Sequence, residues 1–248
     1  MAGGAVVTAA GVRSVANTLA WAGDGAAHLR GLMMRMGDDA FAAPSALPGW
    51  TRAHLLTHVA RNADAMVNLL TWARTGVRTP AYASREQRDA DIEAGAHRFP
   101  ADIRADVVST SDRLAKVARA MPEQAWSVRV QTPHGRVIPA SDVPWLRARE
   151  MWVHAVDLDV GASFADMPAP MLAELLTDAA ATIVQRPDCP ALRLVAPDGT
   201  TWTLGDQPDA TEISGPAPEL AAWLLGRSRG KRLGRPASSP LPKLPRWL

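Results

Sequence analysis

Glu150 and His154 stand four residues apart in the run Glu150, Met151, Trp152, Val153, His154. In a helix, with about 3.6 residues per turn, that spacing sets a carboxylate and an imidazole one turn apart on one face, where both could grip a single metal ion. Oxygen and nitrogen donors of this kind suit zinc, and an open catalytic zinc site takes three protein ligands and leaves a position for water or substrate. The third ligand must come from elsewhere in the chain. Of the six histidines, the other dense cluster is His54 and His58. Leu55, Leu56, Val59, Ala63, Met66, Val67 and Leu70 define the apolar face of their helix. At about 100° per residue, His58 lies at the rim of that face, whereas His54 lies about 150° from its centre, towards solvent. His58 is the better candidate.

An ordinary explanation competes. Arg147, Glu150, His154 and Asp157 fall within a sector of about 80° on their helix. A narrow polar sector is usually the solvated face, and a Glu to His pair at this spacing also gives weak helix stabilisation. Periodicity alone favours that explanation. Asp157 reads as a surface acid, with orientation of a neighbouring imidazole as the alternative.

These residues need helices to position them. The pattern predicts helices over Gly11 to Met36, Thr51 to Thr75, Ala101 to Met121 and Ser141 to Gly161, the last opened by Ser141, Asp142 and an early Pro144. Four helices suggest a bundle, an architecture in which ligands project inward from facing helices. The long connection between the second and third, beginning with Tyr82 to Arg88, could cover the mouth of such a site. After the Pro- and Ala-rich stretch from Ser163 to Pro170 the pattern changes. Met171 to Arg186 reads as a helix, Ala191 to Ala196 and Thr200 to Leu204 as a hairpin around Pro197, Asp198 and Gly199, and Thr211 to Ser214 as a further strand. Ala217 to Leu225 reads as a helix that delivers Arg227 at its end, where an arginine can simply interact with the last carbonyls. The expected fold class is α+β: a four-helix bundle over residues 1–165, then a small C-terminal α/β domain over 166–248 with a basic, Pro-rich tail.

Composition sets outer bounds. A chain of 248 residues that is 47% hydrophobic can bury a sizeable core. No apolar run approaches the roughly 20 residues of a membrane span, and Met1 to Ala10 lacks the basic region of a signal peptide. The expectation is a soluble, cytoplasmic monomer with no membrane partner. Cys189 is the single cysteine, which excludes an internal disulfide; it sits in a Pro/Asp turn, so thiol chemistry would need an external thiol. The net charge is only +2, yet Gly226 to Leu248 carries seven Lys/Arg and no acidic residue. With no recognition motif beside it, that stretch suggests anion binding or solvation rather than nucleic-acid binding.

The run Leu47, Pro48, Gly49, Trp50, Thr51 through His58, Val59, Ala60, Arg61, Asn62, Ala63 resembles the metal-binding helix of mycothiol-dependent maleylpyruvate isomerases, members of the DinB-like bundle proteins. The segment from Pro139 through Arg149, Glu150 and His154 to Asp157 and Leu158 looks like that family's second metal motif, and Gly226, Arg227 and the ending Pro245, Arg246, Trp247, Leu248 resemble its C-terminal region. The resemblance implies a DinB-like four-helix bundle, a zinc ion held by His58, Glu150 and His154, mycothiol as thiol cofactor, a small-molecule substrate, and Arg227 serving catalysis from the C-terminal domain. His54 matches a position that is not a ligand. The implied reaction is cis-trans isomerisation of maleylpyruvate to fumarylpyruvate, in the gentisate route of aromatic breakdown, by reversible addition of a metal-activated thiolate. Two other functions fit the same residues: a zinc-dependent mycothiol S-transferase acting on another electrophile, and a non-catalytic ligand-binding protein with a structural metal.

Overall fold

A computed structural model describes residues 13–205, 210–236 and 240–247. Two compact units divide the described chain at residues 162 and 163. Met1 to Ala10, the first two residues of the expected opening helix, and Leu248 lie outside the described residues.

The N-terminal unit contains five helices: α1 (Val15–Arg35), α2 (Arg52–Thr75), α3 (Arg85–Ala96), α4 (Pro100–Arg119) and α5 (Val143–Asp157). Local chemistry fixes their ends. The Ser14 hydroxyl accepts the Asn17 amide, and the Thr51 hydroxyl accepts the His54 amide while the His54 ring takes the Thr51 N–H in return. Pro100 opens α4 and Pro144 sits in the first turn of α5, where no intrahelical donor is lost. Gly76, at φ 74°, ends α2 in a left-handed conformation that glycine adopts without penalty.

Four of these helices form the bundle, with α1 along α5, α2 along α4, and α2 also against α5. Close approach of α1 requires Gly25, because a Cβ there would stand 2.7 Å from Nε1 of Trp152. That indole N–H donates to Trp21 O at 2.9 Å, linking the two helices. Two apolar clusters fill the interior, one around Leu69, Leu70, Leu114 and Leu146, the other around Leu55, Leu56, Ile103 and Met151. Asn62 on α2, and Arg147 and Glu150 on α5, fall in sequence between the members of the two clusters.

Helix α3 departs from the sequence pattern, which places Arg85–Ala96 in the long connection between the second and third expected helices. Only Ile92 and Gly95 of its residues are buried, so it carries no apolar stripe to betray a helical period. Short-range polar contacts define it instead: Ser84 caps Gln87 and the Gln87 amide donates to Asp91 at 2.8 Å. Gly95 lets it lie close on α2, since a Cβ there would meet Thr57 Cγ2 at 2.4 Å. A hairpin of β1 (Arg129–Gln131) and β2 (Val137–Pro139), with Val130 opposite Ile138, also lies outside the sequence expectation, each strand being only three residues long.

In the C-terminal unit, α6 (Ala169–Ile183) and α7 (Ala217–Leu224) accompany β3 (Leu192–Val195), β4 (Thr201–Leu204) and β5 (Thr211–Ser214). The sheet order is β4-β3-β5, with β3 antiparallel to β4 and parallel to β5. Leu192, Leu194, Trp202, Leu204 and Ile213 are buried, as alternation along short strands demands. Nε1 of Trp202 donates to Ala173 O and Thr177 Oγ1, both at 3.2 Å, which ties β4 to α6. The architecture is α+β: a four-helix bundle followed by a small mixed C-terminal unit. Among the described residues no helix is long and apolar enough to cross a membrane.

Candidate metal centre

The polar sector of α5 faces inward. Arg147 is 3% and Asp157 0% exposed, so the solvated-face explanation fails and Asp157 is not a surface acid. A helix between two packed neighbours has little face left for water, which periodicity cannot reveal.

Three side chains converge there. Oε2 of Glu150 lies 3.0 Å from Nε2 of His58 and 3.3 Å from Nε2 of His154. The two imidazoles stand nearly perpendicular, at 89°, with centroids 5.0 Å apart. One donor atom from each of the three residues falls within 4.8 Å of the others, a spacing at which one cation can be shared. Asp157 Oδ2 accepts a hydrogen bond from His154 Nδ1 at 3.0 Å, which leaves Nε2 turned towards Glu150. Trp50 packs against the His58 ring with centroids 5.4 Å apart. Arg88 Nη2 lies 3.2 Å from His58 Nδ1.

Burial and mutual attraction set the charges. Burial depresses the His58 pKa, and hydrogen bonding and attraction from Glu150 only partly oppose it. Burial acts in the same direction on His154, but hydrogen bonds from Asp157 and Glu150, with their charges, outweigh it and lift the imidazole to about 9. Burial would raise the Glu150 carboxyl, yet its two imidazole partners hold it well below the usual carboxylate range. Arg147, pushed down to about 10 by burial, remains a cation at neutral pH and is favoured by Glu150. Its guanidinium donates to Val59 O at 2.9 Å, Asn62 Oδ1 at 2.8 Å and Ser111 Oγ at 3.3 Å, so the buried charge is solvated by the bundle.

Two imidazoles and one carboxylate form a donor set suited to zinc and its first-row neighbours. Three protein ligands leave a position open, and a divalent cation would relieve the desolvated carboxylate. The residues therefore fit a metal ion.

The remaining candidates lie elsewhere. His54 is half-buried rather than solvent-facing: its Nδ1 contacts Thr51 Oγ1 at 2.7 Å and its Nε2 contacts Glu93 at 3.3 Å, so it caps α2 and meets α3. Arg227 belongs to the C-terminal unit, just past α7, and its Nη1 donates to Leu225 O at 2.7 Å. Burial pushes the half-buried Cys189 thiol up, away from thiolate formation. Reasoning from sequence missed Arg88 and the buried role of Arg147. Arg147 stood in the polar sector of α5, whereas Arg88 lay in a stretch whose periodicity carries no signal.

The sequence profile described as the mycothiol maleylpyruvate isomerase N-terminal domain matches residues 22–159. Two solved structures, of mycothiol-dependent maleylpyruvate isomerase and of a histidine-to-alanine mutant of it, are each 33% identical to the chain. Each match covers 94% of this chain and 97% of that one, at a TM-score of 0.88. YfiT from Bacillus subtilis, described as a probable metal-dependent hydrolase with an unusual four-helix bundle topology, shares the fold at a TM-score of 0.50. It is 16% identical and covers 58% of this chain and 83% of its own. No curated protein matches. A matched profile across more than half of the chain, and a shared fold across nearly all of it, make the chain a member of the mycothiol-dependent maleylpyruvate isomerase family.

Proposed function

We propose that the protein is a zinc- and mycothiol-dependent maleylpyruvate isomerase that converts maleylpyruvate into fumarylpyruvate. Convergence of Glu150 Oε2 with the Nε2 atoms of His58 and His154 is the observation that carries this reading. These three residues would hold the zinc. A bound zinc ion supplies the acidity that keeps a coordinating thiol ionised at neutral pH. For a thiol of pKa about 8.5, full ionisation at pH 7 is worth roughly 2 kcal/mol.

The chemistry then balances without any net oxidation. The thiolate sulfur adds to one carbon of the cis double bond, and the displaced electron pair delocalises into the conjugated carbonyl. The former double bond rotates as a single bond, and return of the electron pair expels the thiolate and leaves the trans alkene. Asp157 holds His154 in orientation through Nδ1, and the two imidazoles keep the Glu150 carboxylate charged. We assign Arg227 to binding a substrate carboxylate or the enolate-like charge, for which its two-pronged cation is suited. Cys189 is not a substitute for the external thiol, since burial raises its pKa.

The test follows maleylpyruvate by its ultraviolet absorbance with purified protein, with and without mycothiol, before and after chelation. Conversion to fumarylpyruvate that needs both thiol and metal is expected. A stable thioether instead would make the protein a mycothiol S-transferase, and no thiol-dependent reaction at all would overturn both.

A further inference from the structure

Arg88, on α3, reaches both His58 on α2 and the half-buried Tyr82. Its guanidinium carbon is 5.8 Å from the Tyr82 ring, Nη2 is 3.2 Å from His58 Nδ1, and Nη1 is 2.6 Å from Asp89 Oδ1.

The contact with His58 has a consequence fixed by hydrogen-bond inventory. Arginine offers only donors, so His58 Nδ1 must accept and the ring hydrogen must sit on Nε2, directed at Glu150. A metal ion shared with Glu150 and His154 needs the lone pair on that same Nε2, which moves the hydrogen to Nδ1. Two donors then face each other across the 3.2 Å gap. No change in net protonation is involved, only which ring nitrogen carries the hydrogen. His154 shows the opposite arrangement: its Nδ1 donates to Asp157 and its Nε2 already faces the cluster. Arg88 and a metal ion are thus alternative partners of His58, while Asp157 and a metal ion are compatible partners of His154.

Arg88 is carried by α3, which Gly95 seats on Thr57 of α2, the helix that carries His58. Its present carboxylate partner, Asp89, is 55% exposed, so that pair is weak and exchangeable. A planar fork that stands one imidazole away from the three converging donors, and already holds a carboxylate, is matched to a bidentate carboxylate of a ligand. We propose that Arg88 leaves His58 when a metal ion enters the cluster and then anchors a carboxylate of a dicarboxylate substrate. This inference rests on the metal role of His58, Glu150 and His154 and adds to it the substrate-binding residue of the bundle.

Two readouts test it without turnover. Zinc affinity is measured by chelator competition on the full chain for wild type, Arg88→Gln and Arg88→Met, and maleate affinity is then measured by calorimetry on the zinc-loaded proteins. Both variants should bind zinc about fivefold more tightly than wild type, which is about 1 kcal/mol at 1.4 kcal/mol per tenfold. Their zinc-loaded forms should bind maleate at least about tenfold more weakly. Unchanged zinc affinity in both variants, or undiminished maleate binding, overturns the role of Arg88 while leaving the metal centre standing. Absence of zinc binding by the wild type overturns both.

Discussion

The two units of this protein treat buried charge differently. Among the described residues, the bundle buries His58, Asn62, Arg147 and Asp157 completely enough that each is under 10% exposed, with Glu150 and His154 close behind, whereas Glu174 is the single charged residue buried in the C-terminal unit. Elsewhere that unit is filled by Leu172, Leu175, Leu176, Leu192, Leu194, Trp202 and Ile213. Removing ionised groups from water costs several kcal/mol each, and replacing such groups by hydrocarbon is often neutral or stabilising. Apart from Glu174, the C-terminal unit is packed as stability alone would favour. A bundle that keeps two imidazoles, two carboxylates and a guanidinium inside retains them at a cost that its fold does not require, and this contrast supports the proposed metal centre.

That contrast can be broken from either side. The largest effect belongs to His58→Ala, which should abolish zinc binding and mycothiol-dependent turnover together, a loss beyond the roughly 100-fold that removal of an outer partner causes. Retained turnover in a zinc-free variant would show that the buried charges serve something else. Leu175→Ala in the C-terminal unit should cost about 2–5 kcal/mol in urea melts, yet leave zinc affinity unaltered. A matched fall in zinc affinity would blur the division of labour.

Next comes pH. In the metal-free chain the His154 pKa of about 9 lies above the 6.5 of an unfolded histidine. Its contribution to stability is therefore complete below pH 6.5 and lost as pH rises through about 9, a decline on the order of 3 kcal/mol. Urea midpoints of chelated protein at pH 6 and pH 9.5 measure it, and zinc-loaded protein should be spared, because the metal replaces the proton on Nε2. Asp157→Asn keeps the shape but weakens the acceptor for His154 Nδ1, so zinc affinity should fall about 10- to 100-fold with the fold intact. Smallest is His54→Gln, which removes a contact at the start of α2: about 1 kcal/mol of stability, with turnover within about twofold of wild type. A large loss of turnover there would bring His54 into the site.

Much of the architecture was legible because periodicity and end signals coincide. Helix α2 begins one residue after the Thr51 cap and ends before Gly76, and β5 runs over Thr211–Ser214, the stretch expected as a further strand. Helix α3 was not legible, because a dozen mostly polar residues held by a serine cap and a glycine contact leave no hydrophobic rhythm. In the site, spacing put Glu150 beside His154 and the amphipathic rim singled out His58, but pattern alone turned the α5 sector to solvent. The direction a polar stripe faces depends on which helices flank it, and that is a tertiary fact. Arg88 illustrates the same limit, since it meets His58, 30 residues away in sequence, through the packing of α3 on α2.

The central claim is that the buried triad holds the metal, and the zinc content of dialysed protein tests it most directly. Wild type should retain about one zinc per chain, and Glu150→Gln, which keeps the shape but removes the charge between the two imidazoles, should retain essentially none. Equal zinc in both proteins, or none in the wild type, would contradict the account.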